Sequence, residues 1–130
     1  MSSNRLSNLT IVVVDDHNDF RRYLGVFLSF LGANVTLAAS AIEGLEAVKT
    51  YRPNLVLSDI SMPQRDGFGL LCDIRALGPD EGGEVPVIAM TALGTYVDRE
   101  RIRAAGFKAF LPKPFSPETL VKAILAVVNE

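Results

Sequence analysis

Five short apolar runs alternate with stretches of helical period along this chain, and that alternation limits the folds open to it more than any other feature. Leu9–Val14, Asn34–Ala38, Leu55–Asp59, Val85–Met90 and Ala109–Leu111 have the length and composition of strands. Ile11-Val12-Val13-Val14 is apolar at consecutive positions, which suits a strand covered on both faces. After the first run the period changes. Phe20, Tyr23, Leu24, Phe27, Leu28 and Leu31 recur as one stripe of an amphipathic helix, which Gly32 ends. Ser40-Ala41-Ile42-Glu43 is a capping box opening a second helix to about Tyr51, where Pro53 forbids continuation.

A third helix follows the loop Ser61–Gly67 and runs to about Leu77, and Gly78-Pro79-Asp80-Glu81-Gly82-Gly83 is the richest turn segment. From about Val97 to Ala105 the helical stripe is thin, so this fourth helix is expected to be less firmly packed. Ser116 caps a fifth, with Pro117 at its first position and Leu120, Val121, Ile124, Leu125 and Val128 on the expected buried face. Strands alternating with helices predict an α/β fold: a doubly wound, five-stranded parallel sheet covered by five helices, because parallel crossovers need a covering element. Residues 1–8 are polar and expected to form a short, loose N-terminal arm, and 9–130 a single domain, without repeats or low complexity.

Four of the five runs end in a polar side chain fit for chemistry. Asp15-Asp16 follows Val14, Asp59 closes the third run, Thr91 follows Met90, and Lys113 follows Leu111-Pro112. As neighbouring parallel strands, these runs would bring three carboxylates, a hydroxyl and an ammonium to the carboxyl edge of the sheet, where ligands of open α/β folds bind. At about 4 Å and an effective dielectric of roughly 20, each carboxylate pair repels by on the order of 4 kcal/mol. The cluster therefore predicts a divalent cation and a phosphoryl-type anion. Adjacent carboxylates suit Mg²⁺, which binds partly through its own water. A carboxylate beside a metal can attack a phosphoryl group, a threonine hydroxyl can donate to the transferred oxygens, and a lysine supplies positive charge.

The remaining composition excludes other classes. With a formal net charge of -2 the chain has no global basic field for nucleic acid or anionic membrane. No run approaches the roughly 18 apolar residues of a membrane span. The start, Met1-Ser2-Ser3-Asn4-Arg5, lacks the apolar region of a secretory signal. A single cysteine, Cys72, allows no internal disulfide and fits a reducing compartment, so the expected location is cytoplasmic. Cys72 itself reads as a small buried hydrophobe. His17 reads as a loop histidine without catalytic duty, the arginines 99, 101 and 103 as a solvated face, and Phe20, Phe27 and Phe30 as core or near-core.

The ordered set Asp15-Asp16, Asp59-Ile60-Ser61-Met62-Pro63-Gln64-Arg65-Asp66-Gly67, Thr91-Ala92 and Lys113-Pro114-Phe115 resembles the receiver domain of two-component response regulators, over essentially the whole chain. The resemblance implies a flavodoxin-like sheet of strand order 2-1-3-4-5. It implies that Asp59 is the phosphoacceptor. Mg²⁺ would be held by Asp16, Asp59 and the backbone carbonyl of Ser61, with Asp15 acting through water. Thr91, the amide of Ala92 and Lys113 would bind the phosphoryl oxygens, and Phe110 would be an aromatic switch partner of Thr91. The Lys113–Pro114 bond is expected to be cis. The implied partners are a histidine kinase or histidine phosphotransfer protein and an output protein or domain, and the implied activity is limited to the domain's own phosphorylation and dephosphorylation.

Three positions limit the resemblance to common members. Ala123 stands where receivers joined to winged-helix domains carry an arginine that helps build a homodimer face. Leu93 and Ser61 occupy the variable positions that affect phosphoryl lifetime. Two other classes compete. A phosphatase of the haloacid dehalogenase type also uses an aspartyl nucleophile, but needs a second Asp where Ser61 stands. A flavin-binding module of the same fold needs a phosphate loop where Asp15-Asp16 would repel the anion.

Overall fold

The computed structural model describes residues 4–92 and 96–129. Within them the elements run β1 (Thr10–Val14), α1 (Asn18–Phe30), β2 (Asn34–Ala38), α2 (Ala41–Tyr51), β3 (Leu55–Asp59), α3 (Gly67–Arg75), β4 (Val87–Thr91), α4 (Tyr96–Ala105), β5 (Ala109–Pro112) and α5 (Pro117–Val128). A single 3-10 turn, Pro79–Glu81, lies between α3 and β4. The strands form one parallel sheet in the order β2-β1-β3-β4-β5, the flavodoxin-like arrangement expected from the sequence.

Strand side chains alternate between two cores. Val12, Val14, Val56 and Ala89 face α2, α3 and α4, meeting Val48, Leu70, Ile74 and Ile102. Ile11, Val13, Leu55, Leu57, Ile88 and Met90 face α1 and α5, meeting Leu24, Leu28, Leu120, Val121 and Ile124. Burial on both sides explains why the strands read as unbroken apolar runs.

The helix ends follow local chemistry. Ser40 accepts a hydrogen bond from the amide of Glu43, whose carboxylate returns to the amide of Ala39. Asp66 caps α3 through the amide of Gly69, and Ser116 caps α5 through that of Thr119. Gly32 follows α1 with φ of 99°, and the amide of Ala33 closes onto the carbonyl of Leu28.

Four expectations need correction. Residues 4–8 are not loose: Leu6 is fully buried, and its amide donates to the carbonyl of Leu31 at 2.8 Å. Cys72 is exposed, because Leu70, Leu71 and Ile74 take the inward face of α3. Phe30 is half exposed. In α5 it is Val127 that is buried, with Leu125 and Val128 at the margin. Among the described residues, no helix is long and apolar enough to cross a membrane.

Candidate functional site

The ladder sets the site. Val14 pairs with Ser58, Asp59 with Met90, and Thr91 with Pro112, so Asp15, Asp59, Thr91 and Lys113 reach the same carboxyl edge together. The amide of Ile60 donates to Met90 and that of Lys113 to Thr91, extending the ladder past the last paired residues. The Lys113–Pro114 peptide is cis, as expected.

Asp15, Asp59 and Thr91 are buried, and Asp16 lies at the mouth of the pocket. Lys113 Nζ donates to Asp15 Oδ2 at 2.9 Å and stands 3.6 Å from Asp59 Oδ2. One ammonium thus lies against two of the three carboxylates. The Lys113 ammonium lies over Phe20, 4.6 Å from the ring centre, and Phe20 meets Phe115 edge to face. Ser61 donates its amide to Asp59 Oδ1 at 3.4 Å.

Burial raises the affinity of Asp59 for its proton above the ordinary carboxylate range. Lys113 opposes that shift, Asp15 adds to it, the Ser61 amide opposes it, and Asp16 adds a smaller push. A cation at this place would favour the charged form. The donor set suits a hard divalent ion such as Mg²⁺, since it is mostly carboxylate oxygen. Asp16 Oδ1 is buried and accepts no hydrogen bond from any described residue, which leaves it available as a ligand atom. The residues therefore fit a metal.

The loop after Asp59 is held closely. The amide of Gly67 donates to the carbonyl of Ile60 at 2.8 Å, and a side chain at Gly67 would run into the Asp59 carbonyl and the Ile60 Cα. Arg65 forms a two-pronged ion pair with Asp73 at 2.7 and 2.9 Å, tying this loop to α3.

Asp15, Asp16, Asp59 and Lys113 are brought together, and Ser61 touches Asp59 through its backbone. Thr91 and Ala92 lie at the same edge, at the end of β4 and just beyond it. Phe110 is separate: it pairs with Ala89 inside the sheet, is partly buried, and has the Arg99 guanidinium 5.5 Å above its ring. Leu93 lies outside the described residues.

Two neighbours were not assigned to the site from sequence. Arg21 Nη1 donates to the carbonyl of Asp15 at 2.7 Å, and its position on the first turn of α1, facing back to the acidic pair, was the available signal. His17 places Nδ1 3.2 Å from Asp15 Oδ1, 3.3 Å from Asp16 Oδ1 and 3.9 Å from Asp59 Oδ2. Its adjacency to the acidic pair was the signal. An open cleft of ≈ 570 Å³, lined by His17, Asn18, Asp19, Phe20 and Lys113, leads to the cluster.

The profile of the family described as the response regulator receiver domain matches residues 11–125. An uncharacterized 14.6 kDa protein of Leptolyngbya boryana is 38% identical, the match covering 92% of this chain and 89% of that protein. A probable transcriptional regulator, ycf27, of Cyanophora paradoxa is 36% identical over 92% of this chain, which spans 48% of the regulator's length. Among solved structures, the receiver domain of a Pseudomonas aeruginosa sensor histidine kinase superposes with a TM-score of 0.84 at 30% identity, over 95% of this chain and all of that one. That domain holds a magnesium ion coordinated in its active-site cleft. Neither rival class gains support: a serine, not a second aspartate, stands two residues after Asp59, and the family matched is the receiver.

Proposed function

The chain belongs to the response regulator receiver domain family of two-component systems, and on that footing we propose that Asp59 is its phosphoacceptor and that phosphorylation changes a partner-binding face. The observation that carries this reading is the burial of Asp59 at the end of β3, with Lys113 and two further carboxylates around it.

The donor is a phosphohistidine of a histidine kinase or of a histidine phosphotransfer protein. An oxygen of the Asp59 carboxylate attacks phosphorus, the P–N bond breaks, and the nitrogen departs with its electron pair. Lys113 opposes the effect of burial on Asp59 and favours the charged form that acts as the nucleophile. In the product its ammonium binds a phosphoryl oxygen, as do the Thr91 hydroxyl and the Ala92 amide. Asp16, Asp59 and the carbonyl of Ser61 would hold Mg²⁺, with Asp15 acting through water, and the ion would neutralise phosphoryl charge.

The added charge draws Thr91 inward. Phe110 then turns toward the space released and leaves Arg99. That remodels the face formed by α4, β5 and α5, which an output protein or domain reads; a local charge change biases a two-state element. The domain works as a switch and catalyses only its own phosphorylation and dephosphorylation. Residues 9–130 act as one domain.

Acetyl phosphate or beryllofluoride with Mg²⁺ tests this reading. The wild type gains a phosphoryl group on Asp59, or a shifted spectrum with beryllofluoride, and Asp59→Asn does neither. An unmodified Asp59 by mass spectrometry, under conditions that label a control receiver, would overturn it.

A further inference from the structure

β2 leaves part of its backbone open. It stands at the edge of the sheet and pairs with β1 alone. The Asn34 amide donates to the Leu9 carbonyl and the Ala38 carbonyl accepts from the Asp15 amide, so the even-numbered residues of β2 turn their backbone groups toward β1. Val35 and Leu37 turn theirs outward. The amides on either side are already taken, that of Ala33 by the Leu28 carbonyl at 3.2 Å and that of Ala39 by the Glu43 carboxylate at 3.1 Å. Among the described residues of this edge, the amides left open are those of Val35 and Leu37, one on each side of Thr36.

We propose that this edge pairs with β2 of a second copy of the chain, antiparallel about a twofold axis through Thr36. Val35 of each copy then faces Leu37 of the other and exchanges both backbone hydrogen bonds with it, so that one sheet runs through both molecules. The open groups form a pattern that is its own complement, as a twofold interface requires. β5 is the opposite edge of the sheet, and the face formed by α4, β5 and α5 stays free in such a dimer.

The side chains agree with this pairing. Edge strands are commonly guarded by charge or proline, and Asn34-Val35-Thr36-Leu37-Ala38 carries neither. Beside it runs an open groove of ≈ 440 Å³, lined by Arg22, Gly25, Val26, Ser29, Val35 and Leu37. Val26 is 67% exposed and Leu37 41%. In the pair these apolar side chains close on their counterparts, while the two Thr36 side chains meet on the other face of the sheet. The charges match as well. The two α1 helices run antiparallel across the axis, which sets Arg22 beside the last turn of the partner's helix, a negative helix end with no basic residue of its own. Arg22 is the one charged residue lining the groove, so little here selects a charged peptide.

Sedimentation of the full chain from about 1 µM to 1 mM reads the association, and amide exchange by NMR reads its place. We expect a monomer–dimer equilibrium in which the Val35 and Leu37 amides exchange about tenfold or more slowly at the high concentration than at the low. Leu37→Pro removes an outward amide that the sheet itself does not use and weakens the dimer by about tenfold or more. Thr36→Lys and Thr36→Glu are each monomeric, and an equal mixture of the two associates, because the axis sets these side chains opposite each other. A wild type still monomeric at about 1 mM overturns the proposal and leaves the edge to an extended segment of another protein. A dimer whose Val35 and Leu37 amides exchange as fast as in the monomer has its interface elsewhere, and overturns the proposal equally. Exchange in the wild type decides the matter even where a variant fails to fold.

Discussion

Lys113 is paired more closely with Asp15 than with Asp59: its ammonium lies 2.9 Å from the first carboxylate and 3.6 Å from the second. The cation therefore restrains a supporting aspartate while the proposed nucleophile keeps a share of its repulsion. Lys113→Met removes the only ammonium facing the cluster among the described residues. Breaking a buried pair costs about 3–5 kcal/mol, and partial solvent access to the lysine brings the expectation to about 1–3 kcal/mol. Urea unfolding without Mg²⁺ reads the loss, and millimolar Mg²⁺ recovers part of it. A variant as stable as wild type in the absence of metal would show that the pair contributes nothing.

The Asp59 proton gives a pH-dependent expectation with a definite sign. Its affinity for the proton is raised in the folded state, from an ordinary value of 3.8. Above 3.8 the folded state therefore binds more protons than the unfolded, and stability falls as pH rises through the window up to the raised value. Asp59→Asn removes that loss. Without metal it raises the melting temperature at pH 7 by a few degrees, on the order of 1 kcal/mol, and the gain vanishes below pH 3.8. Melting curves of both proteins across pH check this, and a gain that persists at pH 3 contradicts it.

Gly67 separates backbone geometry from charge. An alanine there meets the Asp59 carbonyl and the Ile60 Cα, both backbone atoms, which cannot move aside without shifting the end of β3. Gly67→Ala is expected to destabilise by about 1–3 kcal/mol and to slow acetyl phosphate labelling. Gly78→Ala is the control, since an added Cβ meets only the tip of Glu81 at 3.5 Å. Its expected effect is within about 0.5 kcal/mol.

Leu6 tests the corrected N-terminus. It is fully buried in the core under α1 and α5, so Leu6→Ala should cost about 2–5 kcal/mol. Chemical denaturation gives the value directly, and a loss below about 0.5 kcal/mol would return residues 4–8 to the loose arm first expected.

Much of the molecule was legible in the chain because two local signals agree along it. Strand runs end where the chemistry begins, and helix boundaries carry their caps at Ser40, Gly32 and Ser116. The errors have two causes, long-range contact and the angular position of a residue on its helix. Leu6 sits among polar residues with no periodic partner, and it is buried only because Leu31 comes back to meet it. Cys72 is apolar in character but lies about 200° around the helix from Leu70, away from the sheet. The nearness of His17 to Asp59, at 3.9 Å, was likewise out of reach of the local sequence, because β3 supplies the second residue.

In a parallel sheet every strand-to-helix connection lies at one edge and every helix-to-strand connection at the other. The glycine-rich segment from Gly78 to Gly83 belongs to the second group, before β4, while the acidic cluster stands at the first. Evolution and engineering thus meet two unlike borders on one molecule. Added residues near Gly78 lengthen a connection on the side away from the chemistry, whereas a single residue inserted within β3 slips its register and turns Asp59 out of the pocket. The far border is where a tag, a sensor or a circular permutation can be joined without disturbing the switch.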